Sequence, residues 1–101
     1  MRPISYHPEA EREFEEAVDY YENQSQGLGI ELADEVLGVE NRIEENSETG
    51  IVWLHETRLH RVRRFPFGIV FREMKEQIIV IAVYHLSRNE DYWIHRLEDL
   101  N

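Results

Sequence analysis

A chain of 101 residues, of which 42% are hydrophobic and 11% aromatic, has room for one domain and enough apolar side chains to build its core. Because the sequence contains no cysteine, a disulfide scaffold, a thiolate nucleophile and a cysteine-ligated zinc site are excluded. Residues 1–50 carry 3 basic and 14 acidic side chains and residues 51–101 carry 8 and 7, so the net charge of −10 does not decide what the second half binds.

Targeting and membrane signals are weak in this sequence. The first residues lack the apolar core of a signal peptide, and the longest apolar run, residues 78–84, is far too short to span a bilayer. We therefore expect a single cytoplasmic domain over residues 1–101 that has no membrane partner.

The first half of the sequence has the periodicity of two amphipathic helices. Apolar residues recur at spacings of three and four between Ala10 and Tyr21, which predicts a helix from about residue 8 to residue 23, after a short strand within residues 2–6. Beyond a polar break, the same spacing predicts a second helix over residues 28–45. Its apolar residues are Leu32, Val36, Val39 and Ile43. The short connection implies an antiparallel helical hairpin.

From residue 58 onward the periodicity becomes that of β-strands. Three β-prone runs, at residues 59–65, 67–73 and 77–85, are separated by connections short enough for hairpins. Residues 78–83 are apolar at both alternate positions, which indicates a strand that is covered on both faces and therefore central. Residues 88–97 could form a short terminal helix.

The order of these elements predicts an α+β fold. An N-terminal short strand and an α-helical hairpin are expected to pack on an antiparallel β-sheet meander, with a short C-terminal helix after it. Residues 46–57 are expected to form a loop. The hairpin should cover one face of the sheet, which leaves the other face for the C-terminal segment or for a partner.

Four segments follow one another at a distinctive spacing, namely YHPEAEREFEEAVDYYENQ, RLHRVRRFPFGIVFRE, IIVIAVYH and HLSRNEDYW. In this order, over roughly residues 5–96, the sequence resembles the RelE/ParE superfamily of toxins from bacterial type II toxin-antitoxin systems, which are often described as plasmid stabilisation proteins. The resemblance implies the RelE/ParE-like fold and growth inhibition. It also implies a cognate antitoxin, with which the chain could form a hetero-oligomer.

The superfamily implies two different modes of toxicity. Some members are mRNA interferases, metal-independent endonucleases that commonly cleave in the ribosomal A site, whereas the ParE branch poisons DNA gyrase. Ribosome-dependent nucleases tend to be basic and lysine-rich, as phosphate binding requires, but this chain has one lysine, Lys75, and an acidic helical half. We therefore favour action on gyrase. A RelE-like ribosome-dependent mRNA endonuclease is the enzymatic alternative, and a non-toxic binding module is the third.

Candidate functional residues are concentrated in the second half. Four arginines fall within seven residues, and together with one tryptophan they are the candidates for binding a target: Arg58, Arg61, Arg63, Arg64 and Trp93. RNA cleavage needs proton transfer, cations at the phosphate and a ring that holds the base. The candidates for these roles, the last three of which match the superfamily's C-terminal pattern, are Arg72, His85, Arg88 and Tyr92. We expect the guanidinium groups and the imidazole to gather on one accessible concave surface of the sheet.

Each candidate also has a simpler structural interpretation. The arginines could form exposed ion pairs with helix carboxylates, which contribute about 0 to 1 kcal/mol each. His85 could cap the end of a strand, and Tyr92 and Trp93 could be packing residues. The acidic residues between positions 9 and 16 are expected to form a solvated helix face.

No cofactor is expected, because His55 and His60 have no recognisable metal-ligand spacing. The antitoxin is expected to cover the sheet face that the hairpin leaves open. Since the helical half is acidic, we expect either contact confined to the arginines of residues 58–64 or a partner with basic segments for the helices.

Overall fold

The computed structural model describes residues 2–100 and confirms the α+β fold. The elements are, in chain order, β1 (Ile4–Tyr6), α1 (Pro8–Gln24), α2 (Leu28–Glu45), β2 (Ile51–Val52), β3 (Arg58–Arg61), β4 (Phe67–Glu73) and β5 (Ile78–His85). Both helices lie within one residue of their predicted bounds. None of the helices described is long and apolar enough to cross a membrane.

The five strands form one sheet in the order β1-β5-β4-β3-β2. Strands β3, β4 and β5 form the predicted antiparallel meander, whereas β1 pairs in parallel with β5 and makes the sheet mixed. The two-residue strand β2 lies at the other edge, within the stretch that we predicted to be a loop. Strand β5 thus has neighbours on both sides, as its apolar sequence predicted.

A register shift in the β4–β5 pair places two adjacent residues of β5 in the same hydrophobic cluster. Val70 pairs with Ala82 and Phe71 pairs with Val80, so Ile81 has no counterpart on β4. Adjacent residues of a regular strand point to opposite faces, but this bulge lets Ile81 and Ala82 join the same hydrophobic cluster.

The helical hairpin covers one face of the sheet, as expected. Helix α1 begins at Pro8, and the imidazole Nδ1 of His7 accepts a hydrogen bond from the backbone N–H of Glu9, which caps the first turn. The buried stripe of α2 packs on the sheet residues of this face, which include Ile69, Phe71 and Val80.

The opposite face is covered by the chain's own C-terminal segment, residues 86–100. Its central residue, Trp93, is fully buried against Val70 and Tyr84. We had expected the antitoxin to cover this face and Trp93 to bind a target. Of the two covers expected for this face, the C-terminal segment is the one observed, so the antitoxin does not cover it. Trp93 has no exposed surface and cannot contact a target in this conformation, so its predicted binding role is wrong.

The short terminal helix expected within residues 88–97 is a 3₁₀-helix that begins later, at Ile94–Asp99. Its backbone hydrogen bonds join residues three apart, as from the N–H of Arg96 to the carbonyl of Trp93 at 2.9 Å. At three residues per turn, Trp93 and Arg96 lie on the same side of the helix. Both are buried, and Arg96 is only 4% exposed.

Candidate functional site

Residues 81–85 of β5 have no neighbouring strand among residues 2–100 at the edge where β1 lies, because β1 pairs only with residues 78–80. Two side chains replace the missing strand. The carboxylate of Glu13 accepts a hydrogen bond from the backbone N–H of Val83 at 3.0 Å, and the guanidinium of Arg96 donates to the carbonyl of Ile81 at 3.0 Å. The edge of the sheet is therefore closed by a pair of oppositely charged side chains.

Glu13 and Arg96 also bind each other. The two guanidinium nitrogens of Arg96 lie 2.9 and 2.8 Å from the two carboxylate oxygens of Glu13, and the side chains are 5% and 14% exposed respectively. Burial lowers the pKa of Arg96, but the hydrogen bonds and the charge of Glu13 outweigh burial and raise it above its usual value. Arg96 is therefore a permanent cation on the buried side of the C-terminal segment.

The prediction that the acidic residues between positions 9 and 16 form a solvated helix face is wrong for Glu13, which is largely buried. The two members of this ion pair were not identified as a pair from the sequence. The signal was present at Arg96, which lies among the apolar residues Trp93, Ile94 and Leu97. A guanidinium in such surroundings needs a carboxylate partner, because an unpaired buried charge is costly. The sequence did not show which of the many acidic residues supplies it.

Tyr92 and Arg88, two of the candidates for RNA cleavage, lie beside the same carboxylate. The hydroxyl of Tyr92 donates to Glu13 at 2.7 Å, and Arg88 lies 3.5 Å from Glu13 and 3.6 Å above the centre of the Tyr92 ring. Burial raises the pKa of Tyr92, and the hydrogen bond and charge of Glu13 raise it further, so the hydroxyl stays protonated at neutral pH. One face of the Tyr92 ring is thus occupied by Arg88 and is not free to stack on a base.

His85 caps the end of β5, as in its simpler interpretation. Its Nδ1 accepts a hydrogen bond from the backbone N–H of Ser87 at 3.1 Å and lies 2.7 Å from the hydroxyl of the same residue. The ring meets that of Phe67 edge-on, with centroids 5.1 Å apart. Only Nε2 has no hydrogen-bond partner among residues 2–100.

Arg72 lies on the other side of the sheet from His85. Its neighbour Phe71 packs towards the helices, and alternate strand residues face opposite ways. Arg72 accordingly donates a hydrogen bond to the carbonyl of His55, whereas His85 lies with Tyr20 and Tyr21 of α1. The prediction that Arg72 and His85 lie on one surface is therefore wrong.

The arginines of residues 58–64 do not form one patch either. Arg58 lies 3.5 Å from Glu73 and donates to the carbonyl of Gly50 at 2.9 Å, whereas Arg64 lies 2.5 Å from Glu31 of α2. A carboxylate of α2 thus pairs with Arg64, as the simpler interpretation allowed, whereas the carboxylate near Arg58 belongs to β4. The guanidinium groups of Arg61 and Arg63 are exposed and have no ion pair or hydrogen bond within the described chain.

A cleft lined by aromatic rings opens between α1 and the adjacent ends of β4 and β5. It has a volume of about 350 Å³, and its lining residues are Ala17, Tyr20, Tyr21, Phe67 and His85. A groove of about 200 Å³ continues from it, sharing Ala17, Phe67 and His85 and adding Glu13, Glu16, Val83 and Arg88. We refer to the first of these cavities as the aromatic cleft. Of its residues, the sequence pointed to His85 alone.

Two comparisons with known proteins agree with this architecture. A family model described as ParE toxin of type II toxin-antitoxin system, parDE, matches residues 4–90. A solved structure described as "Chromosomal ParDE TA system from P. aeruginosa" superposes with a TM-score of 0.71 and 14% sequence identity, over 85% of this chain and 97% of that one. At this identity the superposition shows the fold alone. No curated protein matches the sequence significantly.

Proposed function

The chain belongs to the ParE toxin family of type II toxin-antitoxin systems, and on this premise we propose that it inhibits growth by acting on DNA gyrase and is neutralised by a cognate antitoxin. The observation that carries the choice of target is the separation of Arg72 from His85 across the sheet. A nuclease needs its proton-transfer group and its phosphate-binding cation at the same bond.

The charges around His85 also disfavour RNA cleavage there. Arg88 and Tyr92 are bound to Glu13, and the nearby carboxylate of Glu16 is exposed and has no partner among residues 2–100. A scissile phosphate would meet this negative charge, and one of the cations that could offset it is already paired. A protein target makes no such electrostatic demand.

We infer that Arg61 and Arg63 contact the target. They are exposed and unpaired within the described residues, and they lie where β3 ends and its connection to β4 begins. Arginine is enriched at protein interfaces, where its planar group can donate several hydrogen bonds at once.

Induction of the protein in a bacterial host, followed by mapping of DNA breaks and transcript ends, tests this proposal. We expect double-strand DNA breaks and transcripts without discrete new ends, and we expect fewer breaks with the Arg61→Ala, Arg63→Ala double variant. Lys75→Ala, which removes an exposed cation from the β4–β5 connection, is the matched control. New transcript ends within translated messages would instead indicate an mRNA endonuclease. Normal growth during expression without the antitoxin would indicate a non-toxic binding module.

A further inference from the structure

We propose that the aromatic cleft receives an arginine or lysine side chain of the cognate antitoxin. The inference rests on the proposed function for the identity of the partner and on the geometry of the cleft for its chemistry. Four rings line it, and the small side chain of Ala17 leaves the space between them open.

The rings form a continuous series of edge-to-face contacts. The centroids of Tyr20 and Tyr21 are 5.2 Å apart, those of Tyr21 and Phe67 are 6.2 Å apart, and those of Phe67 and His85 are 5.1 Å apart. Despite these contacts Tyr20 is 59% exposed. An electron-rich ring face in this position can hold a cation that comes within about 6 Å of its centre.

The charge beside the cleft selects a cation rather than a neutral or anionic group. Beside the cleft, the cations of Arg88 and Arg96 are balanced by the carboxylates of Glu13 and Glu9, the latter 3.9 Å from Arg96, whereas the carboxylate of Glu16 has no partner within the described residues. An incoming guanidinium or ammonium group would therefore find both a ring face and a free carboxylate. A phosphate would be repelled by Glu16.

The distribution of charge over the chain identifies the occupant as a basic segment of another protein. Residues 1–50, which include α1 and α2, have a net charge of −11. A second copy of this chain would bring an equally acidic hairpin to the contact, and like charges oppose such an approach. A basic antitoxin segment is instead attracted to the hairpin.

The chemistry of the cleft can be tested with two short peptides that differ only in charge. Acetyl-Ala-Arg-Ala-amide and its citrulline analogue have side chains of nearly the same shape, but citrulline is neutral. We expect the arginine peptide to shift the NMR signals of Tyr20, Tyr21 and His85 saturably and to bind about tenfold more tightly than the citrulline peptide. Equal binding of the two peptides, or shifts elsewhere in the protein, would overturn the proposal.

Three substitutions separate the cation site from general effects on the fold. Tyr20→Ala and Glu16→Gln change exposed side chains, and each is expected to weaken binding of the arginine peptide about five- to tenfold. Leu37→Ala removes an exposed apolar side chain from α2 and is the control, for which we expect no change. A loss of binding in the control equal to that in the other two variants would contradict a local site.

The identity of the occupant is tested with the purified antitoxin encoded by the neighbouring open reading frame. We expect Tyr20→Ala and Glu16→Gln to bind it at least about tenfold more weakly than the intact protein, with Leu37→Ala unaffected. Unchanged antitoxin affinity in the first two variants would overturn the assignment. Failure of the intact protein to poison gyrase would refute the proposed target and leave both binding comparisons valid.

Discussion

Glu13 joins three parts of the molecule through one carboxylate. It extends from α1, accepts the backbone N–H of Val83 on β5, and binds Tyr92 and Arg96 of the C-terminal segment. Each of these groups is a donor, so all the acceptor positions of the carboxylate are used. We infer that this residue fixes the C-terminal segment to the sheet.

Removing the charge partner of Glu13 should destabilise the protein strongly. In Arg96→Leu, Glu13 keeps its buried charge and the carbonyl of Ile81 loses its donor, so we expect the free energy of unfolding to fall by about 3 kcal/mol. Urea denaturation followed by circular dichroism measures this change. Arg12→Leu, at an exposed position of α1, is the control and should change the free energy by no more than about 0.5 kcal/mol.

A double variant shows whether this loss belongs to the ion pair. Glu13→Gln combined with Arg96→Leu should cost less than the two single changes added together, because the first removes the buried charge that the second leaves without its closest cation, while Arg88 remains at 3.5 Å. Simple additivity, or a loss below about 1 kcal/mol for Arg96→Leu alone, would show that the pair does not act as a unit.

Glu73 makes the stability of the protein depend on pH. Hydrogen bonds from Ser47 and Arg2 lower the pKa of its carboxyl from the ordinary glutamate value, so its ionised form stabilises the fold at neutral pH, and this contribution is lost as the carboxyl of the folded protein becomes protonated at acidic pH. We therefore expect the difference in urea midpoint between the intact protein and Glu73→Gln to disappear between about pH 6 and about pH 3.

The exposed Glu76, which has no partner among residues 2–100, provides the control for that titration. Glu76→Gln should give a small difference in midpoint that does not change over the same range. A constant difference for Glu73→Gln as well would mean that its hydrogen bonds do not stabilise the folded state.

The two helices lie close together at Gly29. A methyl group on this residue would lie 2.4 Å from the carbonyl oxygen of Val18, which belongs to the backbone of α1 and cannot move aside easily. The backbone N–H of Gly29 also donates to the side chain of Glu22 at 3.0 Å. The absence of a side chain here therefore allows the end of α1 and the start of α2 to pack together.

Alanine substitution at two glycines of α2 should have opposite effects. Gly29→Ala introduces the clash with Val18 and should destabilise the protein by about 1 to 3 kcal/mol. Gly38→Ala should stabilise it by about 0.5 to 1 kcal/mol, because a methyl group there meets only the guanidinium of Arg42, at 3.7 Å, and alanine favours the helix. Thermal unfolding measures both, and a change of the same sign in the two variants would contradict this account.

The helices and the central strand were predictable because each is specified by its own local pattern. The spacing of Leu32, Val36, Val39 and Ile43 determines the buried side of α2, and the unbroken apolar run of residues 78–83 in β5 requires cover on both faces. The parallel pairing of β1 with β5 was not predictable, since it joins residues more than seventy positions apart. The bulge at Ile81 likewise depends on the pairing with β4.

The functional surface was harder to predict than the fold, because the position of a long charged side chain depends on which opposite charge is near. Arg64 lies at a φ of 70° after β3 and reaches Glu31 of α2, while Arg72, on the other face, donates to the carbonyl of His55. Sequence proximity suggested one cationic surface, but tertiary contacts divide the arginines among separate places. Only the folded structure shows which arginines are exposed and unpaired. Of the four between residues 58 and 64, these are Arg61 and Arg63, judged within residues 2–100.

The folded chain combines an acidic helical half, residues 1–50 with a net charge of −11, with a nearly neutral half, residues 51–101 with a net charge of +1, which supplies most of the sheet. Such a molecule is suited to contacts with proteins, whose surfaces carry both signs of charge, and poorly suited to long stretches of nucleic acid backbone. Under this account, target contact at Arg61 and Arg63 and antitoxin contact at the aromatic cleft occupy different parts of the surface.

DNA cleavage by purified gyrase in the presence of the purified protein tests the central claim most directly. We predict that linear plasmid DNA accumulates in proportion to the added protein and that prior addition of the antitoxin prevents it. No accumulation of linear DNA at a molar excess of the protein over gyrase, together with cleavage of ribosome-bound mRNA by the same preparation, would contradict the account.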